Sequence, residues 1–151
     1  MSKLNYFVPT SFGGVQISGT MEVITGAKLL EKGEGKSTRT PLFLEAAKQI
    51  HDYFDKKRTF FELPLSYRGT DFQMRVWYEL LKIPYAEVRT YGEIGSLLGK
   101  KQAAQAVGNA CSSNPIGLLI PCHRVVGKSK LGGYTCELPL KKYLLELEGA
   151  N

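Results

Sequence analysis

The spacing of apolar residues changes near Thr40-Pro41, and that change limits the possible folds more than any other feature. Up to position 34 the apolar residues come in short runs broken by turn signals. Leu4–Val8 is followed by Gly13-Gly14, and then by Val15, Ile17, Met21, Val23 and Ile24. Short runs with partial alternation predict two or three strands. The polar, glycine-bearing segment GEGKSTRT at 33–40 reads as a loop. Its GEGKST resembles the tail of a phosphate-binding loop, but that motif needs glycine at position 30, where the chain has Leu30.

Beyond this point the apolar spacing becomes helical. Thr40 is an N-cap candidate followed by proline at the first helical position. Leu44, Ala47, His51 and Phe54 then recur on one face, with His51 as a half-buried packing residue. Lys56-Lys57-Arg58 suits a helix C-terminus. Phe60–Leu65 predicts one more strand, and Ser66–Gly69 a boundary. The expected architecture is a small α/β domain over 1–66, an antiparallel sheet with a helix, followed by a mainly helical domain over 67–151.

In the second part, Thr70 or Asp71 can cap a helix with Phe72, Val76, Leu80 and Leu81 on one stripe and Trp77 beside it. Thr90-Tyr91-Gly92-Glu93 has the form of a capping box. Ile94, Leu97 and Leu98 would be the buried side of that helix, which Gly99 ends. A second short helix over Lys101–Ala110 would pack through Ala103, Ala104 and Val107. Two short helices joined by a tight glycine-bearing turn fit helix-turn-helix geometry, although helical hairpins share the pattern. Leu138-Pro139 begins a last helix, running to about Glu148.

Charge adds a partner class. The chain carries 20 Lys+Arg against 14 Asp+Glu. The excess is even across a cut after Arg68, with 10 basic and 7 acidic residues on each side. Between Arg89 and Cys136, however, stand Arg89, Lys100, Lys101, Arg124, Lys128 and Lys130 against Glu93 alone. Such a field suits phosphate neutralisation, though a merely soluble face can look the same. No run approaches a membrane-spanning length and no signal-peptide core follows MSKLNYF, which predicts a cytoplasmic protein. Cys111, Cys122 and Cys136 form no CxxC, so neither a disulfide framework nor a four-cysteine zinc site fits, and no metal or cofactor is called for. Cys111 and Cys136 read as buried spectators or a redox pair.

The chemical centre is Gly117–Val126, an apolar run that delivers Pro121-Cys122-His123-Arg124 and turns apolar again. A histidine and an arginine beside a cysteine favour the thiolate. Neighbours on a strand point apart, so a turn or a water would be needed to connect His123 with Cys122. A further polar group, a carboxylate by preference, would orient the imidazole. A cysteine protease fits poorly, because its histidine is distant in sequence and a basic surface does not help a generic peptidase.

Pro121-Cys122-His123-Arg124-Val125 resembles the active-site motif of the O6-alkylguanine-DNA alkyltransferases, the methylated-DNA–protein-cysteine methyltransferases. The resemblance runs from Phe72 to Gly149. It takes in Val88-Arg89-Thr90-Tyr91-Gly92, Ala103-Ala104-Gln105-Ala106-Val107-Gly108, Asn114-Pro115, Gly132-Gly133-Tyr134 and Glu148-Gly149. Residues 1–65 resemble the family's N-terminal domain only in length, element order and the helix before the boundary.

The resemblance implies a single-turnover repair protein. It would bind double-stranded DNA through the minor groove, flip out O6-alkylguanine (and O4-alkylthymine), and move the alkyl group to its own cysteine. On that basis Cys122 is the nucleophile and His123 a water-mediated base oriented by Glu148, with Glu146 the competing carboxylate. Asn114 organises the segment beside the pocket, and Tyr91 meets the flipped nucleotide and offers a proton toward the purine. The carbonyls of Cys122 and Val125 and the Tyr134–Thr135 turn recognise the base. Thr90, Lys100, Lys101, Ala104, Gln105 and Gly108 face DNA, and Arg124 is structural. Gln105 stands where the family usually has an arginine finger, so stabilisation of the extrahelical base should be weaker with the chemistry intact. No obligate protein partner is implied. Two rival readings are a non-repairing module of the alkyltransferase-like type, which lacks the cysteine, and a redox-sensing helix-turn-helix regulator.

Overall fold

A computed structural model describes residues 3–100, 102–127 and 138–150. The chain divides into two compact units, Met1–Tyr67 and Arg68–Asn151. The first carries an antiparallel sheet of three strands in sequence order, β1 (Leu4–Thr10), β2 (Gly13–Gly19) and β3 (Ile24–Leu30). Val8, Val15, Ile17, Ile24 and Ala27 are its buried hydrophobic residues. Met21 lies in the β2–β3 turn and is exposed.

Helix α1 (Pro41–Phe54) starts where the sequence says, with the Thr40 hydroxyl accepting from Phe43 N at 3.0 Å. Its buried face differs from the expected one. Phe43, Ala46, Ala47, Ile50 and Tyr53 are inside, Leu44 is exposed, and His51 is exposed with Nε2 3.0 Å from the Pro9 carbonyl. The two helical sets are one residue out of step, and the set with Phe43, Ile50 and Tyr53 buries more apolar surface. The expected strand at Phe60–Leu65 is a single bridge, Leu65 to Ile24, held by Ile24 N donating to the Pro64 carbonyl and Ser66 N to the Ile24 carbonyl. Pro64 has no N–H to extend a ladder.

The second unit is mainly helical: α2 (Asp71–Leu80), α3 (Tyr91–Leu97), α4 (Ala104–Ser112) and α5 (Leu138–Glu148). Thr70 with Gln73 and Thr90 with Glu93 form reciprocal capping boxes at the starts of α2 and α3. Val76, Trp77 and Leu80 line the inner face of α2, and Leu81 is exposed. Trp77 belongs to the core, its Nε1 donating to the Ala110 carbonyl at 2.8 Å and so tying α2 to α4.

The α3–α4 turn is tight. Gly99 ends α3 at φ +75°, and a Cβ on Gly95 would lie 3.1 Å from the Lys100 carbonyl oxygen and 3.3 Å from Ala103 Cβ. Leu97 is exposed, while Tyr91, Ile94, Gly95 and Leu98 are buried. Helix α4 starts at Ala104, later than the expected Lys101, and packs through Val107, Ala110 and Cys111 rather than through Ala104. Two short strands, β4 (Arg89–Thr90) and β5 (Val125–Val126), pair in parallel and place the entry to α3 beside the exit of the cysteine segment. Among the described residues no helix is long and apolar enough to cross a membrane, and no three His, Cys, Asp or Glu side chains group as metal ligands.

Candidate active site

The segment expected as a strand around Cys122 is a turn of 3-10 helix, Cys122–Arg124, in contact with α2 and α5. It is entered through Leu118 at φ +69° and closed by Val125 N donating to the Cys122 carbonyl. Asn114 holds the approach. Its Oδ1 accepts from Ile116 N at 3.0 Å, and its Nδ2 donates to the Ile120 carbonyl at 2.9 Å. That same carbonyl accepts from Cys122 N at 2.8 Å, so one buried amide fixes the backbone on which the thiol stands.

Cys122, His123, Arg124 and Val125 are all buried, and so is Glu148 at the end of α5. Glu148 Oε2 lies 2.8 Å from His123 Nε2. Arg124 grips both oxygens of the same carboxylate, Nε to Oε1 and Nη2 to Oε2, each at 2.9 Å. Ala86 N donates to Oε1 at 3.2 Å, and Arg124 Nη1 donates to the Ile83 carbonyl at 2.8 Å. A bidentate guanidinium and a backbone N–H keep the carboxylate ionised and acceptor-only. His123 Nε2 therefore carries the proton at that contact, a tautomer assigned from its partner. Nδ1 is then the basic nitrogen of the neutral ring, and it is buried without a hydrogen-bond partner among the described residues. Of the two glutamates near the chain end, Glu148 makes these contacts and Glu146 is exposed. Half-buried Tyr85 stands 5.8 Å beneath the Arg124 guanidinium, its phenol pushed up by burial and by Glu148, with Arg124 pulling it down.

A second buried cluster links α3 to α5. Tyr91, first residue of α3 and largely buried, accepts a hydrogen bond at its hydroxyl from Lys141 Nζ at 3.1 Å. Lys141 is 1% exposed. Burial first, and then Cys122, push the Cys111 thiol up to about 12, while Lys141 pulls the other way. Sequence reasoning passed over Lys141, because a lysine in a helix reads as solvated. A signal was there: it precedes Glu148 by seven residues, so both fall on one face of α5.

The basic window resolves into separate environments. Arg124 is consumed by Glu148, Arg89 pairs with Glu87 at 3.1 Å, and Lys100 sits 5.2 Å from the Phe72 ring centroid. Lys100 makes no ion pair among the described residues and is exposed. Lys101, Lys128, Lys130, Tyr134 and Thr135 lie outside the described residues. Ala104 and Gln105 are exposed on α4, while Gly108 is half-buried, its ideal Cβ position 3.9 Å from the Tyr91 ring. Thr90 spends its hydroxyl on the α3 cap.

Comparisons with known proteins agree on one family. A family profile described as "6-O-methylguanine DNA methyltransferase, DNA binding domain" matches residues 71–150. A methylated-DNA–protein-cysteine methyltransferase of Methanosarcina barkeri is 45% identical over 132 residues, covering 87% of this chain and 84% of the relative. The protein of that name from Mycobacterium bovis is 44% identical over 147 residues, covering 93% and 89%. Among solved structures, the Mycobacterium tuberculosis O6-methylguanine methyltransferase superposes with a TM-score of 0.88 at 39% identity, over 97% of this chain and 93% of that one. A crystal structure of the same organism's protein in complex with DNA gives a TM-score of 0.87 at 41% identity, over 96% and 92%.

Proposed function

The chain belongs to the 6-O-methylguanine DNA methyltransferase family, and on that premise we propose that it is a single-turnover DNA repair protein that moves the alkyl group of O6-alkylguanine in double-stranded DNA onto Cys122. The observation that carries this reading is the basic nitrogen His123 Nδ1, next to Cys122 in the chain, buried and without a hydrogen-bond partner among the described residues, with Nε2 fixed by Glu148. A cysteine is a nucleophile only as its thiolate, and a positioned imidazole backed by a carboxylate supplies the base.

In the reaction His123 takes the Cys122 proton through a water. The sulfur then attacks the alkyl carbon as the carbon–O6 bond breaks, and the bonding pair passes to the purine. Tyr91 hydrogen-bonds the purine as charge arrives there. The proton held by His123 returns to guanine through solvent. The product thioether offers water no acyl carbon, so each chain acts once. O4-alkylthymine is a second substrate by the same displacement.

The flipped base is read by the Cys122 and Val125 carbonyls and by Tyr134 and Thr135. DNA is met in the minor groove by α4, through Ala104, Gln105 and Gly108, with Thr90, Lys100 and Lys101 at the phosphates. Asn114 and Arg124 hold the thiol segment and the carboxylate. The proposed compartment is the cytoplasm, with no cofactor or metal and no obligate protein partner. A binding module of the alkyltransferase-like type would have no use for the thiol that this site is built around.

Titration of a duplex carrying one O6-methylguanine tests the proposal. Repaired bases should rise with protein and stop at one per protein molecule. Continued turnover beyond that ratio, or no repair, contradicts it.

A further inference from the structure

The turn between α2 and β4 holds a backbone that its sequence does not favour. Ala86 stands at φ +68°, in the left-handed region that suits glycine and is costly for alanine. Glu87 N donates to the Pro84 carbonyl at 3.1 Å, which closes a β-turn with Tyr85 and Ala86 at its centre. Tyr85 keeps a negative φ, so the turn is type II, whose third residue is ordinarily glycine. Ala86 is exposed, so packing of its methyl group does not account for the conformation.

What the conformation delivers is a peptide N–H. Relative to a type I turn, type II flips the central peptide, so the Ala86 N–H and the Tyr85 carbonyl exchange sides. In the flipped form Ala86 N donates to Glu148 Oε1 at 3.2 Å. An unflipped turn would aim the Tyr85 carbonyl oxygen, an acceptor, at a buried carboxylate.

The contact completes a symmetric arrangement. Arg124 gives Nε to Oε1 and Nη2 to Oε2, which leaves a place on each oxygen. His123 Nε2 takes the place on Oε2, and Ala86 N takes the one on Oε1. The same segment brings the Ile83 carbonyl to Arg124 Nη1 and the Tyr85 ring to the guanidinium. The Glu148 side chain is fully buried, so water does not readily stand in for a lost donor. A carboxylate one donor short on Oε1 is free to tilt on the guanidinium fork, and His123 tilts with it.

We propose that Ala86 is a positioning residue for alkyl transfer, acting through Glu148: its peptide N–H, presented by the left-handed backbone, fixes the carboxylate in the orientation that holds His123 Nε2 and aims Nδ1 at the proton relay from Cys122. No proton is exchanged at Ala86, and its contact is the same before and after transfer. The inference rests on the function proposed above and adds to it a residue that acts through its backbone.

Removing the N–H alone tests this. L-lactic acid in place of Ala86, introduced into the full chain by nonsense suppression, replaces the peptide N–H with an ester oxygen and keeps the methyl group. Single-turnover transfer at saturating O6-methylguanine duplex is measured, with duplex affinity, melting temperature and the proton resonance of His123 Nε2–H. Expected is a slowing of about tenfold or more at unchanged duplex affinity, with the His123 signal displaced or lost to solvent exchange. Ala86→Gly, which takes φ +68° freely and keeps the N–H, should transfer at least as fast as the wild type and melt higher. Ala86→Val, whose branched side chain resists positive φ, should be slowed as the ester is. If the ester does not fold, the rates must fall in the order Gly, Ala, Val, and any other order overturns the inference. An ester that transfers at the wild-type rate, a loss accounted for by affinity, an unmoved His123 signal or a slowed Ala86→Gly also overturns it. The His123 signal is read without DNA. If it moves in the ester while the wild type transfers nothing, it is the proposed function that fails.

Discussion

His123 Nε2 and Glu148 Oε2 stand 2.8 Å apart in a site where the histidine side chain is 1% exposed and the glutamate side chain 0%. The same carboxylate balances the Arg124 guanidinium, so one anion holds both the imidazole and the guanidinium. Glu148→Gln removes the charge with little change of shape and leaves a buried guanidinium without its anion. Breaking such a pair costs about 3–5 kcal/mol, and loss of the oriented base should slow transfer by roughly 10²–10⁴-fold. Urea unfolding and single-turnover kinetics check the two effects separately. A variant as stable as the wild type contradicts the shared-anion account.

Asn114 offers a milder lesion. In Asn114→Ala the buried Ile116 N–H loses its acceptor, whereas the Ile120 carbonyl keeps Cys122 N. One orphaned donor predicts a loss of about 1–3 kcal/mol. Amide exchange should quicken at Ile116 more than at the Trp77-anchored end of α4. Uniform quickening across the unit would mean that Asn114 does not organise this segment in particular.

Cys111 predicts a pH effect. Its folded pKa, about 12, is raised above the ordinary 9.0, chiefly by burial. The unfolded chain therefore releases this proton first as pH rises. The stabilisation from the neutral buried thiol is whole below pH 9 and is lost progressively as pH climbs toward 12. One pH unit above the unfolded value the loss is about 1.4 kcal/mol. Stability curves at neutral and alkaline pH should fall less steeply for Cys111→Ala than for the wild type. Parallel curves would remove Cys111 as a source of alkaline instability.

Gln105 is exposed on α4 and carries no charge. Gln105→Arg adds a planar cation suited to stacking and to base edges. It should tighten binding to methylated duplex, or speed its repair, without altering iodoacetamide labelling of Cys122. A variant that gains in neither affinity nor rate shows that the glutamine already does the arginine's work.

Much of the fold could be read locally, because its strongest signals are local. Thr40, Thr70 and Thr90 each cap a helix through a backbone N–H three residues on, a pattern visible without any tertiary contact. Helix faces were harder. Leu44, Ala47, His51 and Phe54 are spaced as well as Phe43, Ala46, Ile50 and Tyr53, and only packing against the sheet chooses between them. Leu81 and Leu97 look buried by type and are exposed, since apolar residues on a surface are normal. Around the thiol, the Pro-Cys-His-Arg run was plain, but its conformation was not. A 3-10 turn, rather than a strand, brings His123 and Arg124 to one carboxylate. Lys141 lay hidden for a different reason: the contact that justifies its burial crosses 50 residues of sequence to Tyr91.

Intact-mass and peptide mass spectrometry of the protein after incubation with a duplex containing O6-methylguanine test the central claim most directly. The account predicts that one methyl group replaces a proton on the peptide holding Cys122, with unmodified guanine left in the DNA, and that Cys122→Ala shows no such gain. Unchanged protein mass, or a methyl group on any residue other than Cys122, would contradict it.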